Sequence, residues 1–158
     1  MRTGLIPGSF DPLHNGHLGV IEMASRLFER VVVAAVRNPG KEAFFSLEER
    51  QEMLEESLAH LDNVETTSFS GLAVDLAAEV DATVIVKGLR AVSDLENELQ
   101  MAQLNRAMSG IDTVLIPTIS SNSYIASKYV KEFARGGRDV SDMVPEPVAK
   151  RIREKFAK

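Results

Sequence analysis

The chain has no cysteine, which excludes disulfides, cysteine-held zinc and a thiol nucleophile. A reducing cytoplasm fits that absence, and a cytoplasmic location is expected. Positive charge is also short: 18 Lys and Arg stand against 23 Asp and Glu, a formal net charge of −5. A sequence-independent grip on nucleic acid needs the opposite balance. No nucleic-acid partner is expected, and any anionic ligand must meet a local cluster of cations. No apolar run approaches membrane-spanning length. The first residues, running into Thr3-Gly4-Leu5-Ile6, lack the charged region, apolar core and cleavage site of a leader, which predicts a soluble, unprocessed protein. Internal repeats, low-complexity tracts and flexible linkers are missing as well. What is present suffices for a core: 158 residues, 44% of them hydrophobic, predict a single domain over residues 1–158,.

Apolar runs of strand length recur at residues 4–6, 31–36, 64–69, 83–86 and 113–116, with segments of helical spacing between them,. This alternation predicts an α/β fold, a Rossmann-like doubly wound sheet of about five parallel strands with helices on both faces. Leu18, Ile21, Met23, Leu27 and Phe28 mark the apolar stripe of a first helix. Ser46 with Glu49, and Ser93 with Glu96, have the spacing of a capping box, in which a serine oxygen and a glutamate three residues later each take an amide of the helix start. Val148, Ile152 and Phe156 follow Pro145-Glu146-Pro147 at intervals of four, which predicts a last amphipathic helix behind a proline start.

In open parallel sheets, ligands bind where the carboxyl ends of strands lead into helix N-termini. The stretch IPGSFDPLHNGHLGVIEMA, residues 6–24, is the first such turn. Its glycines allow close approach and the free amides of a helix start favour phosphate, yet neither G-x-x-x-x-G-K-[ST] nor G-x-G-x-x-G is there. Two of the chain's three histidines, His14 and His17, stand there instead. Spaced three apart around a helix start, they can converge on one point. An imidazole can donate a hydrogen bond to a phosphoryl oxygen and, if protonated, add charge. One histidine serving as a helix cap or a packed polar group is the plainer alternative. Zinc is a third, and it lacks the further ligands such a site needs.

Lys41 lies in NPGKEAF after the second strand, and Lys87 and Arg90 lie in VIVKGLRAVSD after the fourth. In a parallel sheet these turns open at the same edge as His14 and His17, so an acidic chain gathers cations at one mouth. A fourth turn, SSNSYIASKYV, brings Ser120, Ser121, Asn122, Ser123 and Ser127 before a helix. Their hydroxyls and amides suit a phosphate tail, or simply cap the helix.

With PGSFDP before it, the H-x-G-H of HNGH resembles the signature of the nucleotidyltransferase superfamily. Within it, PGSFDPLHNGH, SLEER, VKGLR, DLENELQMAQLNR and SYIASKYVKE, in that order, resemble the bacterial phosphopantetheine adenylyltransferase family over essentially the whole chain. The resemblance implies transfer of the adenylyl group of ATP to 4′-phosphopantetheine, with magnesium, giving dephospho-CoA and pyrophosphate in coenzyme A (CoA) synthesis. A homohexamer and feedback inhibition by CoA are implied too. By the same resemblance Ser9 touches both substrates with Phe10 beside it on the nucleotide, and His17 contacts the ATP phosphates. Lys41 and Lys87 serve the acceptor phosphate, while Ala73 meets pantetheine through its backbone. Gly88, Leu89 and Arg90 meet the nucleotide and Glu98 adds an ATP contact. Asn122, Ser123, Tyr124, Ile125, Ala126, Ser127 and Lys128 complete the ATP site.

Three positions depart from the family's pattern. His14 stands where threonine is common, Lys87 replaces an arginine and loses its two-pronged grip on phosphate, and IASK at residues 125–128 replaces a serine-rich run. The metal ligands are not legible. Since the implied acceptor is a phosphate monoester, already anionic at neutral pH, attack on the α-phosphorus needs no strong base. The expected catalytic residues, His17, Lys41 and Ser9, would align and neutralise, with His17 as the transition-state stabiliser. Two rivals stay open: a sister nucleotidyltransferase acting on another phosphomonoester, and a nucleotide-binding sensor without turnover.

Overall fold

Residues 31–35 are Val-Val-Val-Ala-Ala, five buried side chains in succession. A strand that buries both of its faces belongs in the middle of a sheet covered on both sides. The computed structural model describes residues 1–157, Ser120 by its backbone alone, and has that architecture. The elements run β1 (Thr3–Gly8), α1 (Asn15–Leu27), β2 (Arg30–Arg37), α2 (Leu47–Leu58), β3 (Val64–Ser70), α3 (Ala73–Glu79), β4 (Val84–Leu89), α4 (Val92–Ser109), β5 (Asp112–Pro117), α5 (Ser127–Arg135) and α6 (Glu146–Phe156). The five strands lie in the order β3-β2-β1-β4-β5, every neighbouring pair parallel. The expected doubly wound sheet is present.

Alternation along the strands divides the core. Ile6, Val31, Val33, Ala35 and Val86 pack on one face with Ile21 and Ala24 of α1, Met53 and Leu54 of α2, and Val148 and Ile152 of α6. Leu5, Val32, Ala34 and Ile85 pack on the other with Leu76 and Ala77 of α3. The order of the strands reverses between β1 and β4, which opens a crevice at their carboxyl ends,. Among the described residues no helix is long and apolar enough to cross a membrane.

Helix starts and stripes correct the sequence in places. Ser46 caps α2, accepting from the Glu49 amide at 3.1 Å while the Glu49 carboxylate takes the Ser46 amide. Ser93 caps nothing: α4 begins at Val92 behind Ala91, so Ser93 already lies inside the first turn and no side chain caps it. Leu27, expected on the buried stripe of α1, is 62% exposed; Val20, Ile21 and Ala24 fill that role.

Candidate active site

Ser9 and Phe10 follow β1, and Phe10 adopts a φ of 46°, a left-handed conformation that is unfavourable for a side-chain-bearing residue. Its ring joins the core and meets His17 edge-on, with the centroids 5.0 Å apart. The turn then enters α1 through an unusual capping box. His14 Nδ1 accepts from the amides of Gly16 at 3.0 Å and His17 at 3.3 Å, and His17 Nδ1 accepts from the His14 amide at 3.1 Å. The two rings stack with their centroids 3.6 Å apart. Only glycine fits between them and the helix, since a Cβ on Gly16 would stand 2.8 Å from His14 Cε1.

These bonds assign the protons. A ring nitrogen that accepts from an amide carries no hydrogen, so in the neutral form each imidazole is protonated at Nε2. Burial, with Arg90 nearby, lowers the His14 pKa to about 4. His17 is held well below the ordinary histidine range by burial first, then by His14, Lys87 and Arg90, although one side of it stays open to the cavity. Both rings are therefore neutral near pH 7, which removes the expected alternative of a charged imidazole. His14 is the cap that the plainer reading described. His17 is half of the same box and also offers Nε2–H toward the crevice.

A cavity of about 350 Å³ lies in the crevice, lined by Ser9, Phe10, His14 and His17 from the first turn, Lys87, Gly88 and Arg90 from the end of β4, Asp94 and Glu98 of α4, and Ile125, Ala126 and Ser127 ahead of α5. Ten of the expected site residues thus share one wall. Its cations are not idle: Lys87 stands 3.9 Å from Glu98, and Arg90 bonds Asp94 at 3.2 Å and the Ile125 carbonyl at 3.5 Å. The Ser127 hydroxyl donates to the Pro12 carbonyl at 2.9 Å, fastening the start of α5 to the first turn.

Lys41 lies elsewhere. It lines an adjoining cavity of about 390 Å³ with Asp11, Arg37, Asn38, Arg50 and Lys131, and the two cavities share Ser9 and Ser127. Leu89, Asn122, Ser123, Tyr124 and Lys128 border neither space. Asn122 reaches the Asn15 carbonyl at 3.5 Å, Tyr124 is exposed, and the Lys128 ammonium sits 5.7 Å from the Tyr129 ring centre. Ala73 begins α3 and packs against the core of the other face. The Ser120 side chain lies outside the described residues.

Three contributors stand inside the motifs above but carry no signal of their own for the site: Asp11, Arg50 and Asp94. Asp11 is buried and accepts from the amides of Phe44 and Phe45, both at 2.8 Å, with Lys131 at 3.6 Å. Arg50 is buried on α2, and Asp94 holds Arg90. Arg50 ends the SLEER motif, but a charge on an amphipathic helix normally faces water,. Among the described residues, no group of three or more histidines and carboxylates could hold a metal ion. The donor set does not fit a metal caged by the protein.

A model of the cytidylyltransferase-like family matches residues 5–133, from β1 into α5. The chain belongs to that family. Among its relatives are two proteins called phosphopantetheine adenylyltransferase. One, from Gloeobacter violaceus, is 51% identical over 154 residues, 97% of this chain and 96% of that protein. The other, from Synechococcus sp., is 52% identical over 153 residues, 96% and 92% of the two chains. Two solved structures share the fold alone. A protein described as a candidate nicotinate-nucleotide adenylyltransferase from Vibrio parahaemolyticus superposes with a TM-score of 0.68 at 15% identity, over 96% of this chain and 99% of that one. A lipopolysaccharide core biosynthesis protein from Thermoplasma volcanium superposes with a TM-score of 0.55 at 23% identity, over 75% and 97%. The family match covers both strands whose ends frame the crevice.

Proposed function

We infer that this chain transfers the adenylyl group of ATP to 4′-phosphopantetheine, giving dephospho-CoA and pyrophosphate in CoA synthesis. One observation carries the reading: a chain half identical, nearly end to end, to proteins of that name has a histidine donor and the basic turn of Lys87 and Arg90 at one crevice. An oxygen of the acceptor phosphate attacks the α-phosphorus. The bond from that phosphorus to the bridging oxygen breaks, and its electron pair leaves on pyrophosphate. No proton need move, so the work is alignment and charge compensation.

The chain's own groups suit those tasks. His17 Nε2–H, beside the free amides of the α1 start, donates to the transferring phosphoryl group. A neutral donor fixed by the backbone needs no reorganisation as charge builds. Lys41 holds the acceptor phosphate from the adjoining cavity, with Lys87 on the opposite side and Ser9 between them. Gly88 and Leu89 offer backbone to the nucleotide, while Arg90, Glu98 and the 122–128 segment hold the rest of ATP. Ala73 meets the pantetheine arm through its backbone, a role that rests on the resemblance alone. Magnesium enters with ATP on the phosphate oxygens, as a part of the substrate, which suits an ion that keeps most of its water and takes few protein ligands.

Further parts of the reading have separate supports. An assembly of copies is favoured by α4, which buries no residue and leaves Leu99, Met101, Leu104 and Met108 more than two-fifths exposed; six copies is the number that the resemblance implies. A second copy of the chain would cover them, and light scattering should return six times the 17.3 kDa chain mass. CoA contains the product with one phosphate added, and so should compete for the crevice. With ATP as co-substrate, the reaction belongs in the cytoplasm.

The test is pyrophosphate release from ATP and magnesium across a panel of phosphorylated acceptors. Rapid release with 4′-phosphopantetheine is the expected result. Release with another phosphomonoester alone would identify a sister enzyme, and ATP binding without release would identify a sensor.

A further inference from the structure

Arg50 is 4% exposed, yet no carboxylate among the described residues lies within ion-pair distance of it. One terminal nitrogen of its guanidinium donates to the Ser9 carbonyl at 2.8 Å and to the Val36 carbonyl at 3.3 Å, and its buried Nε has no hydrogen-bond partner. A buried cation without a counter-ion is a poor way to stabilise a helix that already buries Met53 and Leu54 beside it,. The two carbonyls suggest another reason for it. Ser9 is shared by both cavities, and Val36 is the last residue but one of β2, at the foot of the loop that carries Lys41.

The other foot of that loop is fastened too, because the Asp11 carboxylate holds the Phe44 and Phe45 amides. Between the feet, residues 37–43 are all exposed. Lys41 therefore owes its station to its two ends. Both ends are tied to the short turn of residues 9–11, one by Asp11 and one by Arg50. Both bonds leave from Nη1, which the long planar guanidinium holds in a fixed place between the two carbonyls; the shorter, flexible stem of a lysine does not hold its ammonium there,.

We propose that Arg50 is a positioning residue for adenylyl transfer: by bridging the carbonyls of Ser9 and Val36 it sets where Lys41 presents the acceptor relative to His17. The proposal rests on the reaction inferred above. Arg50 also borders the second cavity, so a direct grip on an anion is the competing role, and the choice of variants separates the two.

Arg50→Lys keeps the charge and removes the rigidly placed Nη1, while Arg50→Gln removes the charge and keeps a donor. With Arg50 as a bridge, Arg50→Lys stays folded by circular dichroism, loses up to about tenfold in kcat/KM for the acceptor and changes the KM for ATP less than about twofold. In a Lys41→Ala background the same substitution costs much less, since the residue it positions is gone. Wild-type kcat/KM for the acceptor in Arg50→Lys, with loss only in Arg50→Gln, would assign a charge contact with ligand and overturn the proposal. A loss that carries over in full to the Lys41→Ala background would overturn it too, as would failure of both variants to fold. If the wild-type protein releases pyrophosphate with no acceptor, the inferred reaction fails. An active wild type with indifferent Arg50 variants sinks the bridge alone.

Discussion

The crevice is bounded by two helix starts built in opposite ways. At α1 the functional side chain is part of the cap: His14 and His17 satisfy each other's backbone, and the ring that faces the cavity is fixed by the bonds that begin the helix. At α4 no side chain caps the start, and the polar groups of its first two turns hold the cations of β4 and its following turn instead, Asp94 on Arg90 and Glu98 on Lys87. One side is preorganised before any ligand arrives. The other is a set of partly exposed ion pairs, each worth no more than about 1 kcal/mol, which a polyphosphate can exchange at small cost. The difference assigns rate to the α1 side and affinity to the α4 side.

The largest effect should come from the α1 side. His17→Ala should lower kcat by roughly 100-fold or more, about 2.7 kcal/mol of transition-state stabilisation, while the KM for ATP changes far less. Steady-state kinetics at several ATP concentrations would read this, and equal losses in both parameters would erase the contrast between the two sides. Next comes stability in acid. His14 titrates near pH 4 when folded and near 6.5 when unfolded,. Below 6.5 the unfolded chain binds the extra proton, so stability is complete above about pH 6.5 and declines as pH falls toward 4. Urea melts should show about 2 kcal/mol lost at about pH 5 from this residue alone. His14→Asn, which keeps an N-cap acceptor, should flatten that decline.

Smaller effects follow. Lys41→Ala should raise the acceptor KM about tenfold, the scale of one charge-assisted hydrogen bond, with the ATP KM unchanged. Unchanged acceptor affinity would remove Lys41 from the site. The smallest is Asp94→Asn, which releases Arg90 and should lower the ATP KM by about two- to threefold. A raised value would mean that the pair at α4 is part of the binding geometry rather than a resting restraint.

The same contrast explains what the sequence could and could not disclose. The crevice was legible because parallel alternation sends every βα turn to one edge, so His17, Lys87 and Arg90 could be joined without coordinates. The division of labour within HNGH was not. Which histidine caps and which faces ligand depends on ring tautomers set by backbone amides, and spacing alone does not reveal them. Ser93 fails as a cap because the helix begins two residues earlier, behind Ala91, a difference that an S-x-x-E pattern does not contain. Lys41 lies across a partition from His17 because its loop is tied down at Val36, Phe44 and Phe45. Those ties come from Arg50 and Asp11, charged residues that a linear reading assigns to solvent.

The central claim is that the chain meets phosphate with an uncharged imidazole fixed at a helix start. Nitrogen-15 NMR of the histidine rings in the ligand-free protein tests it most directly. The account predicts that His14 and His17 are both neutral Nε2–H tautomers at neutral pH, with His14 titrating near 4 and His17 well below the ordinary histidine range,. A His17 ring that gains its proton at about 6.5, as a free histidine does, would contradict it.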